Sequence, residues 1–287
     1  MGATNLRIVT ADDIHRALDY GALIDALAAA LRVEAVSGAA ASKSAAREPA
    51  AARSARPPAA APKSVVYRIS QPSGDTAVMS ISPAWNDEGA RFIGCRIATT
   101  FPVSAAQGQR PDKSCYVLMS GDSGETLAAM DGAALSAVRV AAMAALAARH
   151  LAREDAAHLL VIGAGLLGPH FVRAHRAVRP IERVTLWSRT RSRAIATAFA
   201  LSAAGIEPTI ADDLQAAVGE ADIVSCATRA QLPVLRGAWL KKGVHVDLAG
   251  ALESNAREAD DAVMRRARVY VDSRLTAPKV SGDIAIP

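Results

Sequence analysis

The stretch His158-Leu159-Leu160-Val161-Ile162-Gly163-Ala164-Gly165-Leu166-Leu167-Gly168 decides the fold of this chain. An apolar run ends at Ile162 and predicts a buried strand, and a helical pattern follows Gly168. The spacing Gly-x-Gly-x-x-Gly between a strand and a helix is typical of a dinucleotide-binding loop. Its first glycine permits a tight turn, its second lets the backbone approach a pyrophosphate, and its third lets the helix pack on the strand.

The helix that follows this loop would offer unpaired backbone N–H groups to a phosphate. We therefore predict that the loop binds a dinucleotide through Gly163, Ala164, Gly165, Leu166, Leu167 and Gly168. The alternative is an ordinary corner between a strand and a helix, but the full glycine spacing and the surrounding pattern favour the binding loop.

Strand and helix patterns alternate on the C-terminal side of residue 156, which predicts a doubly wound parallel sheet of the Rossmann type and an α/β fold. Strands are expected at 158–162, 183–188, 222–226, 244–248 and 268–272, with a weak one near 206–210. Helices are expected at 165–178, 190–203, 211–219 and 256–266. We assign residues 131–274 to this dinucleotide-binding domain.

The N-terminal part has a different pattern. Thr10 resembles a helix cap, because an acidic residue follows three positions later. Short β-like runs at 65–69, 76–81, 92–97 and 114–119 are separated by turn-forming residues and predict an antiparallel or mixed sheet. A long Ala-rich helix is expected from about 132 to 153. Residues 1–130 are therefore predicted to form a smaller α+β domain for substrate binding and dimerisation, in which 38–63 is a flexible tract.

The residues after the second Rossmann strand bear on cofactor choice. An NAD-preferring site usually has a carboxylate there for the ribose hydroxyls. This chain has Ser188, Arg189 and Thr190 instead, which can donate hydrogen bonds to a 2′-phosphate. We therefore expect NADP(H) to be preferred over NAD(H). The alternative is that Arg189, with Arg191 and Arg193, only begins a solvated helix.

Composition excludes several other functions. The formal net charge is +5, but the basic residues are dispersed and lack interleaved aromatics, which disfavours nucleic-acid binding. The three cysteines are too far apart in sequence for a ligand set, and their odd number argues against a disulfide framework. The histidines show no metal-ligand spacing. Neither a signal peptide nor a membrane span is expected, so the predicted location is the cytoplasm.

Four stretches, at 124–142, 163–168, 221–240 and 243–272, together resemble the ornithine cyclodeaminase/μ-crystallin family. The resemblance implies a homodimer of two-domain subunits. Such proteins move hydride to or from the carbon next to a carboxylate. The resemblance is strongest to the reductases of cyclic imines such as Δ1-pyrroline-2-carboxylate. It also implies that Ala227 and Thr228 contact the cofactor.

Three departures from the family pattern qualify this expectation. The position of the cyclodeaminases' catalytic Asp is Leu252, which argues against ornithine cyclodeamination. The position of a substrate-domain Lys is Arg96, which holds a carboxylate but is a poor proton donor. The chain ends at Pro287 where relatives continue, with 275–287 expected to return towards the first domain. Ornithine cyclodeaminase and a non-catalytic NADP(H)-binding protein therefore stay as alternatives.

Three arginines are the candidate catalytic residues. Arg139 lies among Ala, Val, Leu and Met in a helical pattern, where a buried guanidinium would need an anionic partner. The resemblance assigns that partner as the substrate carboxylate, shared with Arg96 and Arg68. A structural ion pair or simple exposure is the alternative for Arg139. Asp222 and Asp247 are expected to be structural rather than catalytic, and Glu258 is expected either to line the cleft or to cap the next helix. His170 and His175 lie five residues apart on a helix, which does not place them on one face, so each is expected to be structural or exposed.

Overall fold

The computed structural model describes residues 6–45, 64–85, 91–102, 104, 112–251, 254–274 and 276–287, with side chains described for all of these except 33–45. The chain divides into two compact units. The first contains Met1–Asp19 and Ala28–Ser136, and the second contains Tyr20–Leu27 and Ala137–Pro287.

A six-stranded sheet forms the first unit. Its strands are β1 (Arg7–Val9), β2 (Val65–Ser70), β3 (Thr76–Trp85), β4 (Phe92–Thr100), β5 (Asp112–Ser120) and β6 (Thr126–Asp131), in the order β1-β6-β5-β4-β3-β2. β1 pairs with β6 in parallel, and the other pairs are antiparallel. The predicted mixed sheet is confirmed, and β1 and β6 were missed.

One face of this sheet carries exposed apolar side chains on three strands. Val65, Ile81 and Ile97 are paired in one row across β2, β3 and β4, and directly paired residues share a face. Val65 and Ile97 are exposed, as are Tyr67, Ile69 and Trp85 on the same face. Strand alternation puts Arg68 and Arg96 on the opposite face.

Helices flank the first sheet in sequence. α1 (Ala11–Ala17) begins at Thr10, whose side chain and backbone form a capping box with Asp13 as predicted. α2 (Tyr20–Ala45) follows. The interpretation of 38–63 as loop is wrong for 38–45, because helix-favouring alanines extend α2 over that segment. Residues 46–63 lie outside the described part. The Ala-rich helix is confirmed as α3 (Gly132–Leu151).

The second unit has the predicted parallel sheet. Its strands are β7 (His158–Ile162), β8 (Arg183–Trp187), β9 (Thr209–Ile210), β10 (Ile223–Cys226) and β11 (His245–Leu248), in the order β11-β10-β7-β8-β9. The helices are α4 (Gly168–Arg176), α5 (Arg191–Ser202), α6 (Leu214–Glu220) and α7 (Asp261–Arg266). All residues of β7 and β10 are buried, which explains their continuous apolar sequences.

One strand prediction is wrong. Residues 268–272 contain the apolar run Val269-Tyr270-Val271, yet the structure gives them no regular element, and these three side chains are exposed. The apolar run predicted a strand, but β11 is the last strand on that side of the sheet. A short apolar run alone does not supply a neighbouring strand with which to pair.

The C-terminal segment also departs from expectation. It forms α8 (Ala277–Val280) and α9 (Gly282–Ala285), and it belongs to the second unit rather than returning to the first. The reason is a polar contact within the second unit. The buried Asp283 carboxylate accepts hydrogen bonds from the backbone N–H groups of Glu258 (3.0 Å) and Ala259 (2.9 Å). The first unit also reaches Ser136, beyond the predicted boundary at 130/131.

Within the described ranges, α3 is the helix long and apolar enough to cross a membrane, and half of its most apolar window is buried in the protein. Core helices of soluble proteins have the same property. The described residues contain no group of three His, Cys, Asp or Glu side chains arranged to hold a metal ion.

Candidate dinucleotide site

The glycine loop has the backbone geometry that its sequence demands. Gly163 follows β7 with φ at +111°, in the region that favours glycine, and its N–H donates to the carbonyl oxygen of Trp187 at 2.8 Å. Gly168 begins α4. A side chain there would meet the Gly163 carbonyl oxygen at 3.3 Å and Thr197 at 3.6 Å, so this glycine lets the helix lie close to the loop.

The middle of the loop is open towards solvent. Gly165 is exposed, and a Cβ at this position would meet no atom within 4 Å. α4 has no side-chain cap, since its capping residue is Leu167. Among the described residues, no group accepts a hydrogen bond from the amides of Gly165, Leu166 and Leu167. An uncapped helix N-terminus beside an open glycine fits a bound phosphate.

Strand order locates the crevice above the sheet. The chain proceeds from β7 through β8 to β9 and then returns to β10 on the other side of β7. Ligands of such sheets bind at the carboxyl ends of the strands where this direction changes, here between β7 and β10. Ala227 and Thr228 directly follow β10, and the Ala227 N–H donates to Ile162 at 2.8 Å. The structure therefore brings the 227–228 segment beside the glycine loop.

The predicted 2′-phosphate residues lie at the carboxyl end of β8. Ser188 is half-buried and accepts a hydrogen bond from the Thr190 N–H at 3.3 Å. Arg189 is exposed, with no ion pair to another described residue. Arg191 instead pairs with Asp212. Arg189 thus offers a guanidinium to a phosphate at this strand end.

Glu258 makes buried contacts that its position in the sequence does not indicate. Its side chain is completely buried. One carboxylate oxygen accepts from the N–H and the hydroxyl of Thr228 (2.6 and 2.7 Å), and the other accepts from the Gly250 N–H at 2.6 Å. Burial raises the pKa of Glu258, and the hydrogen bonds from Thr228 and Gly250 oppose that increase. Glu258 joins the segments that follow β10 and β11, a link between residues far apart in sequence that no local pattern reveals.

The two strand aspartates have structural partners. Asp222 lies at the amino end of β10, opposite the crevice, and contacts Arg153 and Lys241. Burial opposes its ionisation, but hydrogen bonds from Lys241 and from the backbone N–H groups of Ala157 and His158 lower the pKa of Asp222 to about 2.

Asp247 lies within β11 in a buried polar network. Its carboxylate accepts from the Ser225 hydroxyl (2.9 Å) and lies 3.0 Å from His175 Nε2 and 2.9 Å from His245 Nε2. Burial would raise the pKa of Asp247, but hydrogen bonds from the two histidines outweigh it and hold the value well below its usual range. His170, also buried, has its Nδ1 2.7 Å from the Tyr20 hydroxyl.

Arg139 does not have the surroundings predicted for it. Its neighbours Ala137, Val138, Ala141 and Ala142 are buried, but Arg139 itself is exposed. The premise of a buried guanidinium was wrong, because this residue occupies the solvent side of α3. Among the described residues Arg139 has no ion pair, in contrast to Arg149 of the same helix, whose guanidinium contacts Asp25 at 2.6 Å.

Arg68 and Arg96 lie in the first unit. Arg68 is exposed on β2 and pairs with Val78, and Arg96 is half-buried on β4, between Ser82 and Tyr116. Their partners Val78 and Ser82 are four residues apart on β3, and β2 and β4 lie on opposite sides of β3. The Cα atoms of Arg68 and Arg96 are therefore about 16 Å apart by standard strand spacing. The structure therefore puts both arginines on one face but does not bring them into contact. Leu252 and Glu253 lie outside the described residues.

Known proteins with similar sequences and folds support this description. The ornithine cyclodeaminase/mu-crystallin family model matches residues 26–286. A Delta(1)-pyrroline-2-carboxylate reductase of Paracoccus denitrificans is 41% identical over 215 residues, which are 74% of this chain and 67% of that protein. The Arabidopsis thaliana Protein SAR DEFICIENT 4 is 34% identical, over 76% of this chain and 68% of that protein.

A solved Thermococcus litoralis Delta(1)-pyrroline-2-carboxylate reductase, in complex with NADH and L-proline, shares the fold with a TM-score of 0.80. It is 23% identical, and the match covers 98% of this chain and 80% of that one. The family match spans both units and includes the glycine loop and the arginines discussed above. This chain belongs to the ornithine cyclodeaminase/mu-crystallin family.

Proposed function

We propose that this protein is an NAD(P)H-dependent reductase that converts a small cyclic imine carboxylate, of the Δ1-pyrroline-2-carboxylate type, into the corresponding amino acid. The observation that carries this proposal is the 41% identity to a Delta(1)-pyrroline-2-carboxylate reductase. The open Gly165 and the uncapped start of α4 support the nicotinamide dinucleotide as cofactor.

The chain's own residues would bind and orient the reactants. The cofactor, when bound, supplies the hydride, and the protein supplies position and charge. Arg139 is proposed to hold the substrate carboxylate, because its planar guanidinium forms paired hydrogen bonds with a carboxylate and has no other anion among the described residues. Arg96 and Arg68, in the first unit, are proposed as further carboxylate contacts.

NADP(H) is the proposed form of the cofactor, with NAD(H) as the weaker ligand. The end of β8 presents Ser188, Arg189 and Thr190 and no carboxylate of its own, so the ribose position lacks the acidic residue that favours NAD(H). Because Arg191 is already paired with Asp212, the proposal assigns the phosphate contact to Arg189.

A homodimer is the proposed assembly, formed through the apolar face of the first unit's sheet. Val65, Tyr67, Ile69, Trp85 and Ile97 are exposed on that face, and exposed apolar surfaces of this kind are typical of protein interfaces. Light scattering should give the mass of two chains. Ile97→Glu should yield monomers, whereas Val66→Lys, on the other face of β2, should not. A monomeric wild-type protein would contradict the proposal.

Cytoplasmic location is proposed from the three free cysteines, which form no disulfide. The enzymatic proposal is tested by incubating the protein and NADPH with a panel of cyclic imine carboxylates and following the absorbance of reduced nicotinamide. Turnover of a five- or six-membered imine is expected. Binding of NADPH without turnover of any imine would favour a non-catalytic binding protein, and formation of proline and ammonia from ornithine would favour a cyclodeaminase.

A further inference from the structure

We propose that buried Glu258 fixes the Thr228 hydroxyl as a hydrogen-bond acceptor at the carboxyl end of β10, so that the site selects dinucleotides whose nicotinamide carries a primary carboxamide. This inference rests on the proposed nicotinamide cofactor and goes further, because it assigns a positioning residue and a specificity-determining contact.

The hydrogen-bond partners of Glu258 determine its charge state. Every hydrogen-bonding group recorded at its two oxygens is a donor, namely two N–H groups and the Thr228 hydroxyl. An ionised carboxylate accepts only, so it is the form that these surroundings satisfy. The single proton of the Thr228 hydroxyl is therefore donated in the hydrogen bond to Glu258.

Thr228 can still accept a hydrogen bond from a ligand. Its oxygen accepts a long hydrogen bond from the Ala230 N–H at 3.4 Å and retains acceptor capacity, since a hydroxyl oxygen has two lone pairs. Thr228 is half-buried, at the strand end next to the glycine loop. This hydroxyl can therefore accept from a ligand but not donate to it, and the complementary group of a nicotinamide is its carboxamide NH₂.

Glu258 is held rigidly by its neighbours. The Glu258 carbonyl oxygen accepts from the N–H groups of Val234 and Leu235, both at 2.9 Å, and its own N–H donates to Asp283. Backbone and side chain are thus both fixed. Because Glu258 already orients the Thr228 hydroxyl, less side-chain entropy is lost when a ligand binds to that hydroxyl.

The test uses calorimetric binding of NADP⁺ and of its 3-acetylpyridine analogue, in which a methyl group replaces the carboxamide NH₂. Wild type should bind NADP⁺ about fivefold more tightly or better, the value of one hydrogen bond of about 1 kcal/mol. Thr228→Val keeps the side-chain shape and removes the acceptor, so it should bind both ligands equally. Thr228→Ser should restore the preference.

Glu258→Gln tests the positioning role, because its amide NH₂ would face an N–H donor. We expect NADP⁺ binding to weaken by about fivefold or more, as for loss of one hydrogen bond. Asp222→Asn is the matched control, a carboxylate that accepts two backbone N–H groups at the opposite end of the same strand. It should lower the melting temperature and leave the dissociation constant within about twofold, since its site is remote from the crevice.

The outcomes separate the two proposals. Equal binding of both ligands by wild type, or an unchanged preference in Thr228→Val, overturns this inference and leaves the proposed function standing. Equal effects of Glu258→Gln and Asp222→Asn on affinity overturn the positioning role. A wild-type protein that binds neither NADP⁺ nor NAD⁺ overturns both the inference and the proposed function.

Discussion

Gly163 and Ala227 lie so close together that a methyl group on Gly163 would come within 2.6 Å of the Ala227 carbonyl oxygen. This contact joins the glycine loop after β7 to the segment after β10, the two sides of the proposed crevice. It also explains why the first and second glycines of the loop differ in what they do. Gly163 permits the fold, whereas Gly165 leaves room for a ligand.

We predict that Gly163→Ala destabilises the protein, by about 2 kcal/mol or more, because the new side chain adds a strained positive φ to a steric clash. Gly165→Ala should leave the melting temperature nearly unchanged, since its Cβ meets nothing, and should weaken NADPH binding about tenfold or more, which is about 1.4 kcal/mol. Thermal melts and fluorescence titrations measure both. Normal NADPH binding by Gly165→Ala would contradict the phosphate assignment.

Arg189→Ala should reduce affinity for NADPH about tenfold or more and hardly change affinity for NADH, because hydrogen bonds to charged groups are worth about 1.5–3 kcal/mol. Arg191→Ala is the control, since that guanidinium is engaged by Asp212. Titration of both cofactors against the three proteins measures the effect. If wild type binds NADH as tightly as NADPH, the preference for NADP(H) is wrong.

Arg139→Ala should lower kcat/KM for the imine roughly 30-fold or more, as expected when a charge pair of about 2 kcal/mol is lost. NADPH affinity and melting temperature should be retained, because Arg139 is exposed and makes no ion pair with a described residue. Arg139→Lys should recover only part of the activity, since an ammonium cannot form the paired hydrogen bonds.

The matched control for this variant is Arg149→Ala on the same helix, which breaks the ion pair with Asp25 and should keep its activity. Unchanged turnover by Arg139→Ala would show that Arg139 does not bind the substrate. A large loss of stability would show that Arg139 has a structural role instead.

Asp222→Asn should lower the free energy of unfolding at pH 7 by at most about 2 kcal/mol. The pKa of Asp222 is lower in the folded protein, so its contribution is present above the ordinary value of 3.8 and disappears as pH falls towards about 2. Urea denaturation at pH 7 and near pH 2.5 measures the difference in the free energy of unfolding between wild type and Asp222→Asn. It should shrink at the lower pH, and a difference that grows there would contradict the assignment.

Much of the second unit could be predicted because its signals are local. The apolar run ending at Ile162 and the three glycines specify a strand, a turn and a helix within eleven residues, and the structure has all three. The Thr10 capping box is equally local. Residues 268–272 show the limit, since their apolar run Val269-Tyr270-Val271 matches a strand but the sheet ends at β11.

The polar contacts could not be predicted because they join distant parts of the chain. Glu258 meets Thr228 thirty residues earlier, and Asp283 binds the backbone at Glu258 twenty-five residues before it. The prediction that Arg139 is buried failed for a different reason. Its neighbours in sequence are apolar, but the residue faces solvent, and hydrophobicity averaged over a helix does not specify one side chain's orientation.

The most direct test of the central claim is a balanced assay of wild-type protein with NADPH and Δ1-pyrroline-2-carboxylate. Loss of reduced nicotinamide absorbance and formation of proline are measured together, with ornithine and NADP⁺ in a parallel reaction. The account predicts one proline formed for each NADPH consumed, and neither proline nor ammonia from ornithine. NADPH that binds but is not oxidised by this or any related cyclic imine, or proline formed from ornithine, would contradict it.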